Sequence, residues 1–548
     1  MSDHASLVAI RRQMVRQLPP RFVELRPDGS KVLANYIHNQ LQIRAQYDNI
    51  SGQEAALIDD ILDRFVSVLK SRSSQKKSFF ELEQVEAAIA ALDAGDVHIE
   101  ESQALNEATH GGSSDKFTKI IDAFDFPLFT FNTVRKMFLR SNEPRSILAN
   151  AHDKALLFQR RLDVISQRIR RHKLFAPRTS RVSTGEVHFS ICSIDSLLGA
   201  TGNKCVFGML AELEEGVWYL EDANSTVKLD LTRAEVLGGL ICDGCFVLVE
   251  GEMSDGVFRV DSIGLPPPEP RETTIGAFPD LQDFGNGGTA DSQRQHVAMA
   301  QALQQREDDR IVILSEVHLD EPHVLRDLET LFTGFAEAPP NMMVFAGSFF
   351  AHKVSLAQAK QTFDALADLI HKHTSFQQTH FVFTPGPRDP SLSAALPYPR
   401  LMPTLVARLQ QKLRKVSFVS NPARIQYFGQ EIVLFRADLL YKIRRHAVLS
   451  AAPESATQLT KLLAETVVSQ SHLCPFNLDK QPVYWQFDNA LGLYPLPDLL
   501  ILADVVEEYE WVEEGCRVVN PGQFSSTRSF IVYFPASKHA AFSCIPKQ

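Results

Sequence analysis

The sequence has few cysteines and lacks any long apolar run. Its 548 residues include only seven Cys, an odd number spread along the chain. Such cysteines give no sign of a disulfide framework, so we expect a reducing compartment. No apolar run reaches the ~18 residues of a membrane-spanning helix, and the N-terminus lacks the apolar core of a secretory signal. The sequence therefore predicts a protein with no membrane partner.

Motifs for several catalytic and binding chemistries are also absent. There is no G-x-x-x-x-G-K-[ST] phosphate loop and no G-x-S-x-G nucleophile turn, which argues against nucleotide binding and against a serine hydrolase. Cys242 and Cys245 form one CxxC pair without the second pair that would complete a zinc site. Their favoured interpretation is as small buried side chains. We expect no cofactor.

Positive charge is scarce as well. Lys and Arg number 56 against 66 Asp and Glu, which gives a formal net charge of −10. Because Lys and Arg contacts with phosphates dominate nucleic-acid affinity, this chain should bind DNA only weakly by itself. Residues 159–181 are an exception, with eight basic residues against one acidic residue, and they predict a basic helix. A solvated face or a surface for an acidic partner is favoured there over DNA contact.

The pattern of apolar residues divides the chain into three structured parts. Helical spacing predicts an N-terminal helical domain at residues 1–105, followed by a linker with connecting helices at 106–185. Short alternating segments predict an OB-fold β-barrel at 186–268. A Pro-rich run ends the barrel, and a linker follows at 269–300. Strands alternating with helices over 301–548 predict an α/β sandwich, so the fold class is multidomain α+β.

The barrel region also raises the alternative of a single-strand DNA-binding protein. Its Trp218, Tyr219, Phe246 and Phe258 could stack on bases, as in OB-folds that bind single strands. The same segments are rich in Glu and Asp, which repel phosphates. We therefore favour core or interface positions for these aromatic residues. The predicted barrel strands are 204–213, 217–222, 226–231, 244–253 and 256–264.

Polar residues at the predicted strand ends of the last part, among them Glu316, His318 and Asp389, occur in an order that resembles the motifs of a calcineurin-like two-metal phosphoesterase. In such enzymes Asp-x-His, Gly-Asp, Gly-Asn-His, an isolated His and Gly-His-x-His hold two cations, which stabilise the attacking and leaving oxygens. The corresponding positions in this chain are Glu316, His318, Ser348, Pro387, Arg388, Asp389, His472 and Asp504.

The departures from that motif order predict a degenerate pocket with no catalytic residue and no bound metal. Ser348 is a neutral hydroxyl where a bridging Asp is needed, and Pro387 replaces an Asn ligand. Arg388 places a fixed cation where the catalytic His would stand, and it could pair with Glu316 or Asp389. In that case a salt bridge replaces the metal ions.

Two metal-binding alternatives remain beside this interpretation. One is an active metal-dependent phosphodiesterase or nuclease with an unusual ligand set, namely Glu316, His318, Asp389 and His472. The other is a single metal held by the two His residues with Asp389 or Asp504. A buried His held by a hydrogen bond is the commoner situation, so we favour a pocket without metal.

Longer blocks of the sequence resemble the B-subunit family of eukaryotic DNA polymerase epsilon. The blocks are 120–132, 217–231, 421–439, 482–504 and 519–524, and they occur in the same order as in that family. The corresponding subunits of the alpha and delta polymerases resemble the chain in architecture, but their sequences depart from these blocks. The N-terminal region matches less clearly.

The resemblance implies a nuclear, non-catalytic accessory subunit that acts in chromosomal DNA replication and repair. It implies that the barrel and the phosphoesterase-like domain hold the C-terminal cysteine-rich domain of the catalytic subunit. The N-terminal domain resembles the helical lid of AAA+ ATPases and is expected to contact the GINS part of the replicative helicase. The small histone-fold subunits are expected as indirect partners, and DNA as a partner within the holoenzyme.

Overall fold

The computed structural model describes residues 10–12, 14, 18, 24–47, 58, 61–62, 65–66, 69, 79–93, 117–176, 189–284, 290–391, 393–450 and 456–546. The chain divides into two units. One comprises Met1–Ser113 with Asn286–Gln305, and the other comprises Ser114–Gly285 with Arg306–Gln548. Among the helices of the described residues, none is long and apolar enough to cross a membrane.

The first unit combines helices with one short pair of parallel strands. Strand β1 (Glu24–Leu25) pairs with β2 (Phe79–Phe80), and each strand precedes a helix, α1 (Pro27–Tyr47) or α2 (Leu82–Asp93). Apolar residues at helical spacing bury one face of these helices. The buried side chains of this unit include Leu33, Ile37, Phe65, Phe80 and Val85. Residues 106–116 of the expected linker lie outside the described residues.

The second unit begins with elements that sequence analysis did not separate from the linker. They are β3 (Thr118–Asp122), β4 (Leu128–Asn132), β5 (Met137–Ser141) and α3 (Ala151–Ile169). Helix α3 begins where the backbone N–H of Asn150 donates to Asp153 Oδ2 at 2.8 Å, the return contact of a capping box.

Helix α3 is the predicted basic helix, but the expectation of a solvated basic face is wrong for two of its arginines. Arg161 and Arg168 are buried, on the same helix face as Leu157 and Ile165. The i, i+4 and i, i+3 spacing of these residues explains why one face holds both kinds of side chain. Residues 177–181 of the basic run lie outside the described residues.

The OB-fold barrel is confirmed, and the five predicted strands agree with the structure within about two residues at their ends. Strands β9 and β13 pair in parallel and close the barrel, while β12 lies between β7 and β13. Phe246 and Phe258 are buried, and Trp218 and Tyr219 are half-buried. The elements are β6 (Ile191–Cys192), the 3-10 helix Ile194–Leu197, β7 (Lys204–Glu214), β8 (Val217–Glu221), β9 (Thr226–Asp230), β10 (Glu235–Val236), β11 (Leu240–Cys242), β12 (Phe246–Ser254) and β13 (Val257–Gly264).

Helical structure follows where a linker was expected. Helix α4 (Arg271–Ala277) and the 3-10 helix Pro279–Phe284 belong to the second unit. Helix α5 (Ala290–Gln304) lies in a segment that belongs to the first unit. The predicted linker at 269–300 is therefore largely helical in its described residues.

Strands and helices alternate through the rest of the second unit, as the sequence predicted. In chain order they are β14 (Ile311–Ser315), α6 (Pro322–Gly334), β15 (Met342–Ala346), α7 (Leu356–Lys372), the 3-10 helix Thr374–Gln378, β16 (His380–Thr384), α8 (Pro403–Lys412), β17 (Val416–Phe418), β18 (Ala423–Tyr427), β19 (Gln430–Arg436), α9 (Leu439–His446), β20 (Ala447–Ser450), α10 (Ala456–Ser469), the 3-10 helix Trp485–Leu491, β21 (Leu499–Ala503), β22 (Tyr509–Glu513), β23 (Cys516–Asn520), α11 (Phe524–Thr527), β24 (Ser529–Phe534) and β25 (His539–Cys544).

Two six-stranded sheets organise these elements. One has the order β17-β16-β15-β14-β24-β25, in which β14 to β17 are parallel. The other has the order β22-β23-β21-β19-β18-β3, with β19, β21 and β23 parallel. The hydroxyl of Tyr533 in the first sheet donates to Gln430 Oε1 in the second at 3.1 Å. Parallel strands buried on both faces explain apolar runs such as Ile311–Ser315.

The barrel and the sandwich share one hydrophobic core. Barrel residues such as Val206 and Leu210 belong to the same cluster as Val467 and Leu500 of the sandwich. Strand β11 of the barrel region also pairs antiparallel with β20 of the sandwich. This continuity joins the two predicted domains into a single packed body.

Candidate functional site

The ends of strands from both sheets bring charged and polar residues together in the sandwich. Glu316 follows β14, Ser348 follows β15, and Asp389 lies in the loop after β16. Arg436 ends β19 and Asp504 follows β21. Because parallel strands end at the same edge of a sheet, this edge is where α/β folds commonly place their functional side chains.

Glu316 is the most completely bonded residue of this pocket. Its fully buried carboxylate accepts hydrogen bonds at Oε1 from Arg436 Nε and the Ser348 backbone N–H, both at 2.8 Å. Its Oε2 lies 2.9 Å from His318 Nε2 and also pairs with Arg388. Burial disfavours the charged carboxylate, but His318, Arg436 and Ser348 outweigh burial and lower the pKa of Glu316 below its ordinary value.

Arg436 is the cation at the centre of the pocket, and sequence analysis missed it. Its side chain is fully buried and donates to Asp438 Oδ1 at 2.8 Å and to the carbonyl oxygen of Ala503 at 3.3 Å, besides its contacts with Glu316. Burial disfavours the charge, but Glu316 and Asp438 outweigh it and raise the pKa of Arg436. The available signal was an Arg that directly follows four consecutive apolar residues within the block 421–439.

Asp389 is held by backbone groups. It is 5% exposed, and its oxygens accept hydrogen bonds from the backbone N–H of Phe349 at 2.6 Å and of Gly386 at 2.7 Å. Burial raises the pKa of Asp389 to about 7, against the opposing effect of those two bonds. A Cβ atom at Gly347 would lie 2.3 Å from Asp389 Oδ2, so only glycine leaves room for this carboxyl.

The remaining sequence-predicted pocket residues have different surroundings. Arg388 is paired with Glu316, which decides between the two partners expected for it. Ser348 Oγ is buried without a hydrogen-bond partner among the described residues. Pro387 is exposed and borders a small cavity of about 30 Å³ beside Tyr398 and Phe435.

Asp504 binds the start of a helix. Its Oδ2 accepts a hydrogen bond from the Leu440 backbone N–H at 2.8 Å, in the first turn of α9, and its Oδ1 accepts one from Val505 N at 2.7 Å. Burial raises the pKa of Asp504. Both oxygens are therefore occupied by backbone donors, which matches a helix-capping role.

His472 belongs to a second buried cluster with Arg161 and Asp488. Its Nδ1 accepts from the Cys474 backbone N–H at 3.0 Å, which leaves the ring proton on Nε2, 3.3 Å from Asp488 Oδ1. Arg161 binds both oxygens of Asp488, at 3.0 and 2.5 Å. Burial and the neighbouring Arg161 lower the pKa of His472.

Asp488 has a pKa below its ordinary value, because Arg161 and His472 outweigh the effect of its burial. Sequence analysis missed both Arg161 and Asp488 as partners. Their only signal was the apolar spacing around Arg161 on α3. Among the described residues, no group of three or more His, Cys, Asp or Glu side chains is arranged to hold a metal ion.

Comparison with protein families places the chain in a class of polymerase subunits. The family of B subunits of DNA polymerases alpha and epsilon matches residues 311–510. The family described as DNA polymerase epsilon subunit 2-like, OB-fold domain, matches residues 151–267. These two matches include the barrel and most of the strands that form the pocket.

Comparison with individual proteins distinguishes between the alpha and epsilon subunits. DNA polymerase epsilon subunit 2 of Bos taurus is 35% identical over 495 residues, covering 88% of this chain and 90% of that protein. The DNA polymerase epsilon B subunit of Arabidopsis thaliana is 35% identical over 452 residues, covering 81% and 85%. This chain therefore belongs to the family of DNA polymerase epsilon B subunits, which confirms the resemblance found in its sequence blocks.

A solved structure of an archaeal phosphodiesterase also aligns with part of the chain. It covers 43% of this chain and 99% of its own, at 12% sequence identity and a TM-score of 0.25. A TM-score this low supports no argument about fold or function.

Proposed function

We propose that this protein is a non-catalytic accessory subunit of DNA polymerase epsilon, acting in the nucleus in chromosomal replication and repair. Family membership supports the accessory role. The single observation that supports the absence of catalysis is the buried pair of Glu316 with Arg436, which sits at the strand ends where a two-metal hydrolase needs its cations.

The chemistry of the pocket does not fit a pair of divalent cations. Metal-binding carboxylates need free lone pairs, but both oxygens of Glu316 already accept hydrogen bonds from nitrogen donors. Both oxygens of Asp389 accept backbone N–H groups. A divalent cation at Glu316 would also face the guanidinium groups of Arg436 and Arg388, and like charges at such separations repel strongly in a buried site.

The proposed role is that of a scaffold with two modules. The barrel and the sandwich share a core, which makes them a suitable rigid body for holding the C-terminal cysteine-rich domain of the catalytic subunit. The first unit is proposed to bind GINS in the replicative helicase. Once one module is bound, the tethered second module meets its partner at roughly millimolar effective concentration, so neither contact needs to be strong. The histone-fold subunits and DNA are proposed as partners only within the holoenzyme.

Co-elution tests this proposal. The full chain, mixed with the C-terminal domain of the catalytic subunit, should elute as a one-to-one complex. A chain lacking residues 1–113 should retain that complex and lose binding to purified GINS. Absence of a complex with the catalytic subunit would overturn the scaffold proposal, and GINS binding that survives the deletion would overturn the role given to the first unit.

A further inference from the structure

Exposed apolar side chains are concentrated at the β4–β5 hairpin and the loop that follows it. Among the described residues, thirteen large apolar side chains are exposed, and five of them fall within residues 134–148. We call these five the hairpin surface: Val134, Met137, Leu139, Ile147 and Leu148. Val134 and Leu148 are 89% and 85% exposed. Such a local cluster of exposed apolar groups is a mark of an interaction site.

The opposite face of the hairpin is firmly packed, so the exposure does not come from a frayed element. Phe131 and Phe138 are cross-strand partners with ring centroids 5.2 Å apart. The Phe138 ring lies 5.0 Å from Phe278 and 5.6 Å from Tyr494. Because side chains alternate across a strand, anchoring this face leaves Met137 and the residues in register with it on the outer face.

The loop carrying Ile147 and Leu148 is fixed as well. Arg145 donates to Asn489 Oδ1 at 3.1 Å and to the Phe124 carbonyl oxygen at 3.0 Å. The backbone N–H of Ser146 donates to Gln486 Oε1 at 2.6 Å. The apolar side chains that follow are therefore held outward by an ordered backbone, which reduces the entropy lost when a partner binds.

The charge around the hairpin surface is opposite to that of the whole chain. Arg135, Lys136 and Arg140 are exposed on the hairpin, and Glu143 is the only acidic residue in 128–148. The chain as a whole has a net charge of −10. A basic, apolar patch on an acidic protein complements a ligand that combines carboxylates with apolar side chains.

We propose that the hairpin surface binds an acidic amphipathic segment of a partner protein. Aliphatic side chains form the anchors, flanked by cations that pair with Asp or Glu of the segment. A nucleic acid is the less suitable ligand, because binding of single strands relies on exposed aromatic side chains that stack on bases. The exposed apolar residues here are Val, Met, Leu and Ile. This binding proposal does not depend on the proposed scaffold function and is tested separately from it.

Site-specific photo-crosslinking in cells tests the proposal on the full chain. The photoreactive amino acid p-benzoylphenylalanine is placed at Leu148 and, as the matched control, at Leu198, which is 88% exposed on the barrel region. We expect position 148, and not 198, to crosslink to a protein segment in which Asp and Glu alternate with apolar residues. Crosslinks to nucleic acid, to a second copy of the chain or to a neutral or basic segment would overturn the proposal, as would no crosslink.

Affinity for the crosslinked segment provides the second readout. A synthetic peptide of that segment is titrated with the full chain by fluorescence anisotropy. Val134→Ser with Leu148→Ser, and separately Arg135→Glu with Lys136→Glu, should each weaken binding by about tenfold or more. Leu198→Ser should leave binding unchanged, and unchanged far-UV circular dichroism shows that the variants are folded. Equal affinity for all variants would overturn the proposal.

Discussion

At the residue scale, the Glu316–Arg436 pair shows how the protein's own side chains can balance charges buried in the pocket. Two unlike charges removed from water lose hydration, and they remain favourable only when their hydrogen-bonding groups are satisfied. Glu316 and Arg436 meet this condition, since the pair has further contacts with Ser348, His318 and Asp438. Removing one partner should therefore harm the fold more than replacing both.

Arg436→Met should strongly destabilise the second unit. It leaves Glu316 charged and without its buried partner, a loss that typically amounts to about 3–5 kcal/mol of unfolding free energy. Arg388→Met is the matched control, because it removes the other arginine on the same carboxylate. The Arg388 side chain is 41% exposed, so its removal should lower stability by less than about 1 kcal/mol.

Urea denaturation of both variants and of the double variant Arg436→Met/Glu316→Gln provides the measurement. The double variant should recover part of the stability, because the charges that lose a partner, Arg388 and Asp438, are partly exposed and no fully buried charge is left unpaired. Equal losses for Arg436→Met and Arg388→Met would contradict the central role of Arg436.

The raised pKa of Asp389 predicts that the stability of the protein depends on pH between about 4 and 7. Its ordinary pKa is 3.8 and burial raises the pKa to about 7 in the folded state, so between these values the folded protein holds a proton that the unfolded chain has lost. The contribution of Asp389 is therefore complete below pH 3.8 and falls as pH rises through about 7, by at most about 1.4 kcal/mol per pH unit.

The variant Asp389→Asn cannot titrate and should lack this slope. Urea unfolding from pH 4.5 to 7.5 should show a wild-type advantage over Asp389→Asn that shrinks as pH rises. Glu316 has the opposite sign, since its lowered pKa adds stability above its unfolded value, but it is common to both proteins. Parallel pH profiles of the two proteins would rule out a raised pKa at Asp389.

The pocket residues that follow strands of the first sheet could be predicted from the sequence. Their charged partner from the second sheet, Arg436, could not. Glu316, Ser348 and Asp389 follow apolar strands of the first sheet, so a linear motif locates them. Arg436 belongs to the other sheet, 120 residues beyond Glu316. The pairing of a charged residue of one sheet with a charged residue of the other depends on how the two sheets stack. No local pattern in a single sequence indicates that stacking.

At the element scale, basic residues of α3 attach this helix to the sandwich through buried hydrogen bonds. Arg161 binds Asp488, and Arg168 donates to the Ser469 carbonyl oxygen at 2.6 Å. Burial lowers the pKa of Arg168 to about 10. The charge count predicted a basic helix, but it did not predict that two of its arginines are buried. The composition of a segment does not show which of its residues form hydrogen bonds with buried acceptors.

Arg161→Ala should loosen the attachment of α3 to the sandwich. It leaves Asp488 buried beside His472 without its guanidinium, and the expected loss of unfolding free energy is about 3 kcal/mol. Arg170→Ala serves as the control, because Arg170 is exposed at the end of the same helix and its loss should change stability by less than about 1 kcal/mol. Thermal unfolding of both variants provides the comparison, and similar shifts in Tm would contradict an anchoring role for Arg161.

Barrel strands were the elements that the sequence predicted best. Their alternating apolar residues and glycine turns are local signals, and Gly216 and Gly256 both adopt positive φ in hairpin turns. Strand β3 was missed because its position in the second sheet comes from pairing with β18, about 300 residues away. The short strands β4 and β5 were also missed, although their pairing is local and forms a separate two-stranded sheet.

At the scale of the whole molecule, the shared core of barrel and sandwich makes them one cooperative body. Buried side chains of both parts belong to a single cluster, and β11 pairs with β20 across the boundary. Unfolding the barrel alone would expose the sandwich residues that pack against it. The two parts should therefore unfold together.

Single-tryptophan variants test this cooperativity. The chain has three Trp, and Trp218 reports on the barrel while Trp511 reports on the sandwich. Replacing the other two by Phe in each case gives one reporter per part. The fluorescence transitions in urea should have the same midpoint. An earlier transition at Trp218 would show that the barrel unfolds independently.

A phosphodiesterase assay with Mn²⁺ tests most directly the proposal that the Glu316–Arg436 ion pair takes the place of hydrolytic metal ions. The free full chain and its His318→Ala variant are incubated with a generic phosphodiester substrate over a range of Mn²⁺ concentrations. We predict no metal-dependent hydrolysis by either protein. Hydrolysis that requires Mn²⁺ and disappears in His318→Ala would contradict the account and establish an active phosphoesterase.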